Sequence, residues 1–432
     1  RQDKPVGALA PDARRLLEWE VAGLPVGGGT LALAAVGEGI ERRVSLDVTP
    51  ELELLYFCPE APMALAGETL TFECWLANTG NAFVTGIEAA FELAGETVCV
   101  TASHLAPDAR CVLQASFTPD VAEGWTRAAV RVQAANMDEP LKAKNGAYVL
   151  KNAPLPARTP GVGVVANDAV IVLANTHAAL AFRRSPEGWW FGQLLTCTPD
   201  AWGDTLAWLA HPVHMDYRRG VDGPSVDCSF RDMPEPALEV DGAPGLCFRW
   251  QRDETDGATW SGVFAFTPAG DGRTFDVAYT VTCGQPREVL SFSGPAVHVV
   301  ERDEAIYPGL EWLVDNEVSS STLDIAEDHP DRWRFFVHPN KITVPAIGVQ
   351  SPLGTVGLFW DMRQRWYGER ERPGVLFASP DRFQRFGSHN MRLFVPPIDS
   401  SEPDARKGAP FVLEPGRELT LKSHLYAAAE RD

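Results

Sequence analysis

Leu70-Thr71-Phe72-Glu73-Cys74-Trp75-Leu76 sets Leu70, Phe72, Cys74 and Leu76 on one side of an extended chain. Phe275, Val277, Tyr279 and Val281 follow the same period of two much later in the chain. That period belongs to half-buried strands, not to helices. Turn signals bound such runs: Val26-Gly27-Gly28-Gly29, Asn78-Thr79-Gly80-Asn81, Pro268-Ala269-Gly270-Asp271-Gly272 and Ser351-Pro352-Leu353-Gly354. With 34 prolines and 37 glycines among 432 residues, long helices have little room. Short helical turns are expected only near 199–208 and 380–386. The pattern predicts an all-β protein of stacked sheets.

A six-residue phrase occurs twice. Leu9-Ala10-Pro11-Asp12-Ala13-Arg14 returns as Leu105-Ala106-Pro107-Asp108-Ala109-Arg110, and the register continues through Thr30/Thr126, Ala32/Ala128 and Val36/Val132. A repeat of about one hundred residues has the size of one sandwich domain. The expected organisation follows from it. Residues 1–47 are the back half of a repeat unit whose front is missing, and 48–150 are one complete unit. Residues 151–161 form a stiff proline-rich linker, and 162–432 a single large antiparallel assembly. The chain therefore reads as a piece of a longer modular protein.

Within 48–150, an opening strand at Leu52–Phe57 leads to Gly67-Glu68-Thr69, then to a strand ending in Asn78-Thr79-Gly80, and later to the Pro107-Asp108 turn. This resembles the bacterial Ig-like module called CARDB, which implies a seven-stranded spacer or adhesion sandwich. Asn78 and Gly80 suit a strand end needing unusual backbone angles, and Pro107-Asp108 suits a turn. The large assembly opens with Val170-Ile171-Val172-Leu173-Ala174-Asn175, Leu180–Arg184 and Gly188-Trp189-Trp190. It closes with Leu413-Glu414-Pro415-Gly416-Arg417-Glu418-Leu419-Thr420-Leu421. Both ends resemble the β-supersandwich of mutarotase-like and lyase-type carbohydrate proteins. The resemblance implies that further domains of the same polypeptide follow.

The charges sum to −20, which disfavours nucleic acid as a partner. No apolar run has the length of a membrane span. The eight cysteines include no CxxC pair, so no zinc cluster of that type is expected. Most are expected as buried thiols, with Cys99 and Cys111 the nearest local pair for a disulfide. The resemblances imply an extracellular or cell-surface setting in a bacterium.

Chemistry has several candidate places. Ten of the 13 tryptophans lie beyond residue 161, and aromatic faces stack on sugars; core packing is the competing use. Trp190, beside Trp189, and Trp366, with Tyr367 in the charged stretch Arg363-Gln364-Arg365, are the candidate sugar contacts. The densest polar segment runs from Tyr307 through Glu311, Glu317 and Ser319–Ser321 to His338 and Lys341, with Asp361 later. Glu311 among apolar neighbours suits a general acid; Glu317 or Asp361 would be its partner carboxylate in a glycoside hydrolase. Local ion pairs and turn caps are the competing use. Arginines between 332 and 392, with His338 and Tyr367, suggest a polyanion lyase or else a salt-bridged surface. His211 and His214 stand close together, but Pro212 breaks any helix there, and satisfied loop histidines are expected rather than a metal site. No cofactor is expected, with structural calcium near the serines a minor reading.

Three functions remain open from sequence. The supersandwich binds a polysaccharide or supports a catalytic domain elsewhere in the polypeptide. Alternatively it is itself a glycoside hydrolase or polysaccharide lyase, or the whole chain is an adhesive spacer.

Overall fold

The computed structural model describes residues 29–35, 40–46, 49–119, 123–211, 213–220, 223–228, 233–308, 311–314, 317, 319, 336–337, 339, 342–382, 384–397 and 410–429. Within these the chain is all-β and forms sandwiches of antiparallel sheets, with one parallel pair between Met63–Leu65 and Leu141–Leu150.

Residues 49–150 build one sandwich. A three-stranded sheet orders Leu52–Pro59, Leu70–Asn78 and Arg110–Phe117. A five-stranded sheet orders Met63–Leu65, Leu141–Leu150, Gly124–Gln133, Val84–Leu93 and Glu96–Leu105. The alternation at Leu70, Phe72, Cys74 and Leu76 is realised as four fully buried side chains. Phe72 stacks on Phe57 at 5.5 Å and meets Phe117 edge-on at 6.1 Å. Each such ring contributes about 1.5–3 kcal/mol by leaving water. The Asn78-Thr79-Gly80 signature has a concrete cause. Buried Asn78 donates through Nδ2 to the carbonyls of Ala82 and Leu105, and its Oδ1 accepts from the Gly80 amide. A β-carbon on Gly80 would lie 2.3 Å from the Thr49 carbonyl oxygen, so only glycine fits. Asp108 takes φ +60°, the left-handed turn conformation expected after Pro107.

The strand Gly29–Ala35 falls where the repeat offset maps it, inside the counterpart of Gly124–Gln133. It pairs antiparallel with Ile40–Leu46, as Gly124–Gln133 pairs with Leu141–Leu150. The rest of the expected partial unit at 1–47 lies outside the described residues.

Beyond residue 162, a thirteen-stranded sheet faces a nine-stranded one. Phe182 of the first meets Phe248 and Phe266 of the second, each at 5.1 Å. Phe275, Val277, Tyr279 and Val281 point into the same core. The stretch after residue 150 lies against the large sandwich instead of spanning a gap. The carbonyl of Ala153 accepts from Arg183, that of Pro154 from Asn167, and that of Pro156 from the Trp202 indole.

The two sandwiches share a core. Met63, Leu65, Tyr148 and Leu150 belong to the same buried cluster as Phe191, which Tyr148 meets at 4.5 Å. The connection between strands Gly374–Ala378 and His389–Val395 then reaches back into the smaller sandwich. Its Gly387 amide donates to the Pro59 carbonyl, and its Arg385 carbonyl accepts from Asn145. The Arg382 guanidinium lies over the neighbouring rings of Tyr56 and Trp75, 5.0 Å from each.

Two local expectations are corrected. The helical turn near 199–208 is instead the strand Trp202–His211, whose continuous apolar run Leu206–Ala210 is buried on both faces. The described residues of 380–386 form turns and no helix, tied by the Phe386 amide to the Asp381 carbonyl. Cys99 and Cys111 stand on strands of different sheets, and both are free thiols.

Candidate functional site

The side of the nine-stranded sheet that faces away from the core carries a surface suited to bind a ligand. Five residues stand in register across five consecutive strands: Trp312, Ile306, Gly348, Gly357 and Tyr426. Their strands are Glu311–Val314, Glu304–Tyr307, Ala346–Ser351, Gly354–Phe359 and Leu419–Ala428. The period of two explains the facing. Ala305, Tyr307, Ile347, Val349 and Leu358 enter the core, so the alternate positions point outward.

The row is a shallow trough. Trp312 is 57% exposed at one end, beside exposed Ile306. A β-carbon on Gly348 would meet nothing within 4 Å, so the floor is open there. At Gly357 it would strike the Phe359 ring at 2.7 Å, which shows that ring folded over the second glycine. Phe359 stands edge-on to Tyr426, with centroids 6.1 Å apart. Trp312 and Phe359 therefore wall a floor about three strand spacings wide, roughly 14 Å. Two residues further along each strand runs a polar row on the same face: Glu304, Gln350 and Thr355, again in register. An apolar floor between aromatic walls, flanked by hydrogen-bonding side chains, fits a flat molecule with an apolar face and polar edges.

The residues expected from sequence fall elsewhere. Glu311 occupies the ladder row of Tyr307, Ile347 and Leu358, and its side chain lies outside the described set. His338, and most of the polar segment from 315 to 341, also lie outside it, as does the side chain of Trp190. Exposed Glu317 accepts through Oε2 from the Val314 amide. Asp361 accepts from the Arg363 amide, capping its own turn. Each of these carboxylates thus holds local backbone. The strands carrying Glu311 and Leu358 have two others between them, so these two positions of one row stand about 14 Å apart.

Trp366, expected as the exposed platform, is only 2% exposed. The stretch Arg365–Tyr367 is itself a short strand, so Trp366 turns inward while Arg365 turns out. Its indole donates to the Glu371 carbonyl and meets Phe411 edge-on at 5.2 Å. Tyr367 packs on Phe411 and accepts from the Glu414 amide. Arg365 pairs with Glu369 and Glu371, and Arg370 lies over Trp366 and Phe411. Arg363 is exposed at the turn.

Sequence reasoning passed over Trp312 and the two glycines. Their signal was present in Gly354-Thr355-Val356-Gly357 and Ala346-Ile347-Gly348-Val349, where glycine occupies outward positions of otherwise β-branched strands.

No family model matches the chain, and no curated protein does. Among solved structures, a CARDB domain from Pyrococcus furiosus, determined in complex with di-metal ions, is similar to 24% of this chain. It matches over 96% of its own length at 20% identity and a TM-score of 0.21. The cycloalternan-forming enzyme of Listeria monocytogenes, determined with a pentasaccharide substrate, is similar over 87% of this chain. There the identity is 11%, the TM-score 0.21, and the match spans 30% of the enzyme's length. Likeness at this level carries no statement about activity.

Proposed function

We propose that this chain is a non-catalytic binder of neutral glycans, acting through the outward face of the nine-stranded sheet. The observation that carries the reading is the trough from Trp312 to Phe359, with its open Gly348 floor and its flanking row of Glu304, Gln350 and Thr355. Sugar rings present an apolar face to aromatic walls and hydroxyls to such polar side chains. The charge of −20 favours neutral over acidic polysaccharides. The arginines that would neutralise uronates are engaged elsewhere: Arg365 in ion pairs, and Arg370 and Arg382 on aromatic rings. A role outside the cell belongs to the same proposal. Cys58 and Cys74 are buried, with thiols pushed up to about 12 chiefly by that burial, which keeps them unreactive.

Affinity electrophoresis against a panel of neutral and acidic polysaccharides tests this. At least one neutral glycan retards the protein, and Trp312→Ala weakens that retardation at least tenfold. Gly348→Val fills the floor and abolishes it, while the melting temperature holds. Retardation only by acidic polysaccharides, or retardation untouched by both substitutions, refutes the proposal.

A further inference from the structure

A separate group of metal-ligating side chains sits at the far edge of the thirteen-stranded sheet. There His214–Arg218 pairs with Ser225–Cys228, which ends the sheet. His214 and Asp216 share one face of their strand, since Met215 and Tyr217 between and beyond them enter the core. The register places Asp227 directly opposite Asp216. Two carboxylates facing each other across a ladder repel, and a positive charge beside them relieves that repulsion. The third donor is imidazole. His214 Nε2 is 3.3 Å from Asp227 Oδ1 and 3.9 Å from Asp216 Oδ1, and the donor atoms of the three residues lie within 4.8 Å of one another.

That spacing suits tetrahedral coordination. Bonds of about 2.0–2.2 Å to nitrogen and oxygen separate neighbouring ligand atoms by roughly 3.3–3.6 Å. A small inward movement of Asp216 would complete three ligands. Asp227 is 73% exposed in its side chain, so the fourth position opens to solvent. Among the described residues, Arg392 of the strand His389–Val395 also bears on Asp216. Arg392 also acts on Asp381, so its charge is divided.

We propose that His214, Asp216 and Asp227 hold one divalent transition metal of the zinc class, bound through one nitrogen and two carboxylates. An imidazole in the set favours zinc, cobalt or nickel over calcium and magnesium. The ion ties the edge strand Ser225–Cys228 to its neighbour. The sequence pairs His214 with His211; the fold pairs it with two aspartates instead.

The test is a cobalt(II) titration of the full chain, read by its visible spectrum, with zinc competition. One equivalent binds, the spectrum shows nitrogen and oxygen ligation without a thiolate charge-transfer band, and the melting temperature rises. Asp227→Asn and His214→Gln each weaken binding at least tenfold. Both sites are partly or largely solvent-facing, so both variants fold. Three results overturn the proposal: no saturable cobalt binding, binding that survives both substitutions, or a thiolate band placing the ion on cysteine.

Discussion

Replacing Arg382 tests whether the two sandwiches form one mechanical unit. Its guanidinium is held 5.0 Å from the ring centres of Tyr56 and Trp75, and the Tyr56 hydroxyl accepts a hydrogen bond from it. Burial lowers its pKa, so the cation is substantially desolvated. A desolvated cation–π contact contributes up to about 2 kcal/mol, and an exposed one about 0.5–1. Two contacts of intermediate strength, with a hydrogen bond from a charged donor of about 1.5 kcal/mol, give an upper sum near 4. One cation shared between the partners makes these terms less than additive, so Arg382→Ala is expected to cost about 3 kcal/mol. Arg382→Lys keeps the charge but loses the flat stacking surface, and recovers no more than about half. Urea unfolding followed by tryptophan fluorescence reads the result. With a slope of about 3 kcal/mol/M, the alanine variant's midpoint falls by about 1 M. Its transition also separates into two, as the smaller sandwich melts first. If both variants unfold in one transition within about 0.5 kcal/mol of the parent, Arg382 is a surface residue and the clamp is refuted.

Two further outcomes follow from the surroundings of single side chains. His389, hydrogen-bonded through Nδ1 to Ser379, has its pKa lowered to about 3 by burial and by nearby Arg302. The unfolded chain takes up that proton below about pH 6.5, whereas the folded chain refuses it until about pH 3. Stability therefore falls as pH drops from about 6.5, by up to tenfold in the folding constant per unit. His389→Asn should flatten this slope relative to the parent in urea midpoints measured at pH 4.5 and 7; an unchanged slope contradicts the assignment. Cys99 is exposed, while Cys58 and Cys74 are buried with thiols near 12. Brief alkylation of the native protein at neutral pH, read by mass spectrometry, should mark Cys99 and spare those two; labelling of Cys58 before Cys99 would contradict the packing.

The sandwich architecture was legible because burial imposes period two locally. Leu70 to Leu76 and Phe275 to Val281 name their own faces without knowledge of their neighbours. Asn78 and Gly80 were legible for a similar reason, since a strand end that closes on the Thr49 backbone constrains nearby residues. The binding face was not. Trp312, Gly348, Gly357 and Tyr426 become neighbours only through the order of strands in a sheet, which alternation does not encode. Trp366 misled because its charged sequence neighbours suggested solvent, whereas a three-residue strand sends adjacent side chains to opposite sides. His214 misled in the same way. Its partner Asp227 is supplied by a hairpin register, not by the nearest histidine in sequence.

The loop that reaches from the large sandwich into the small one also fixes a direction. A module strung on a free tether could swing, and its sheet face would sample every bearing. Here Gly387 and Arg385 are bonded to Pro59 and Asn145, and Met63 and Leu150 are sunk in the common interior. The small sandwich is thus a bracket whose attachment determines which way the aromatic trough is aimed, so a pull along the chain reorients both bodies together.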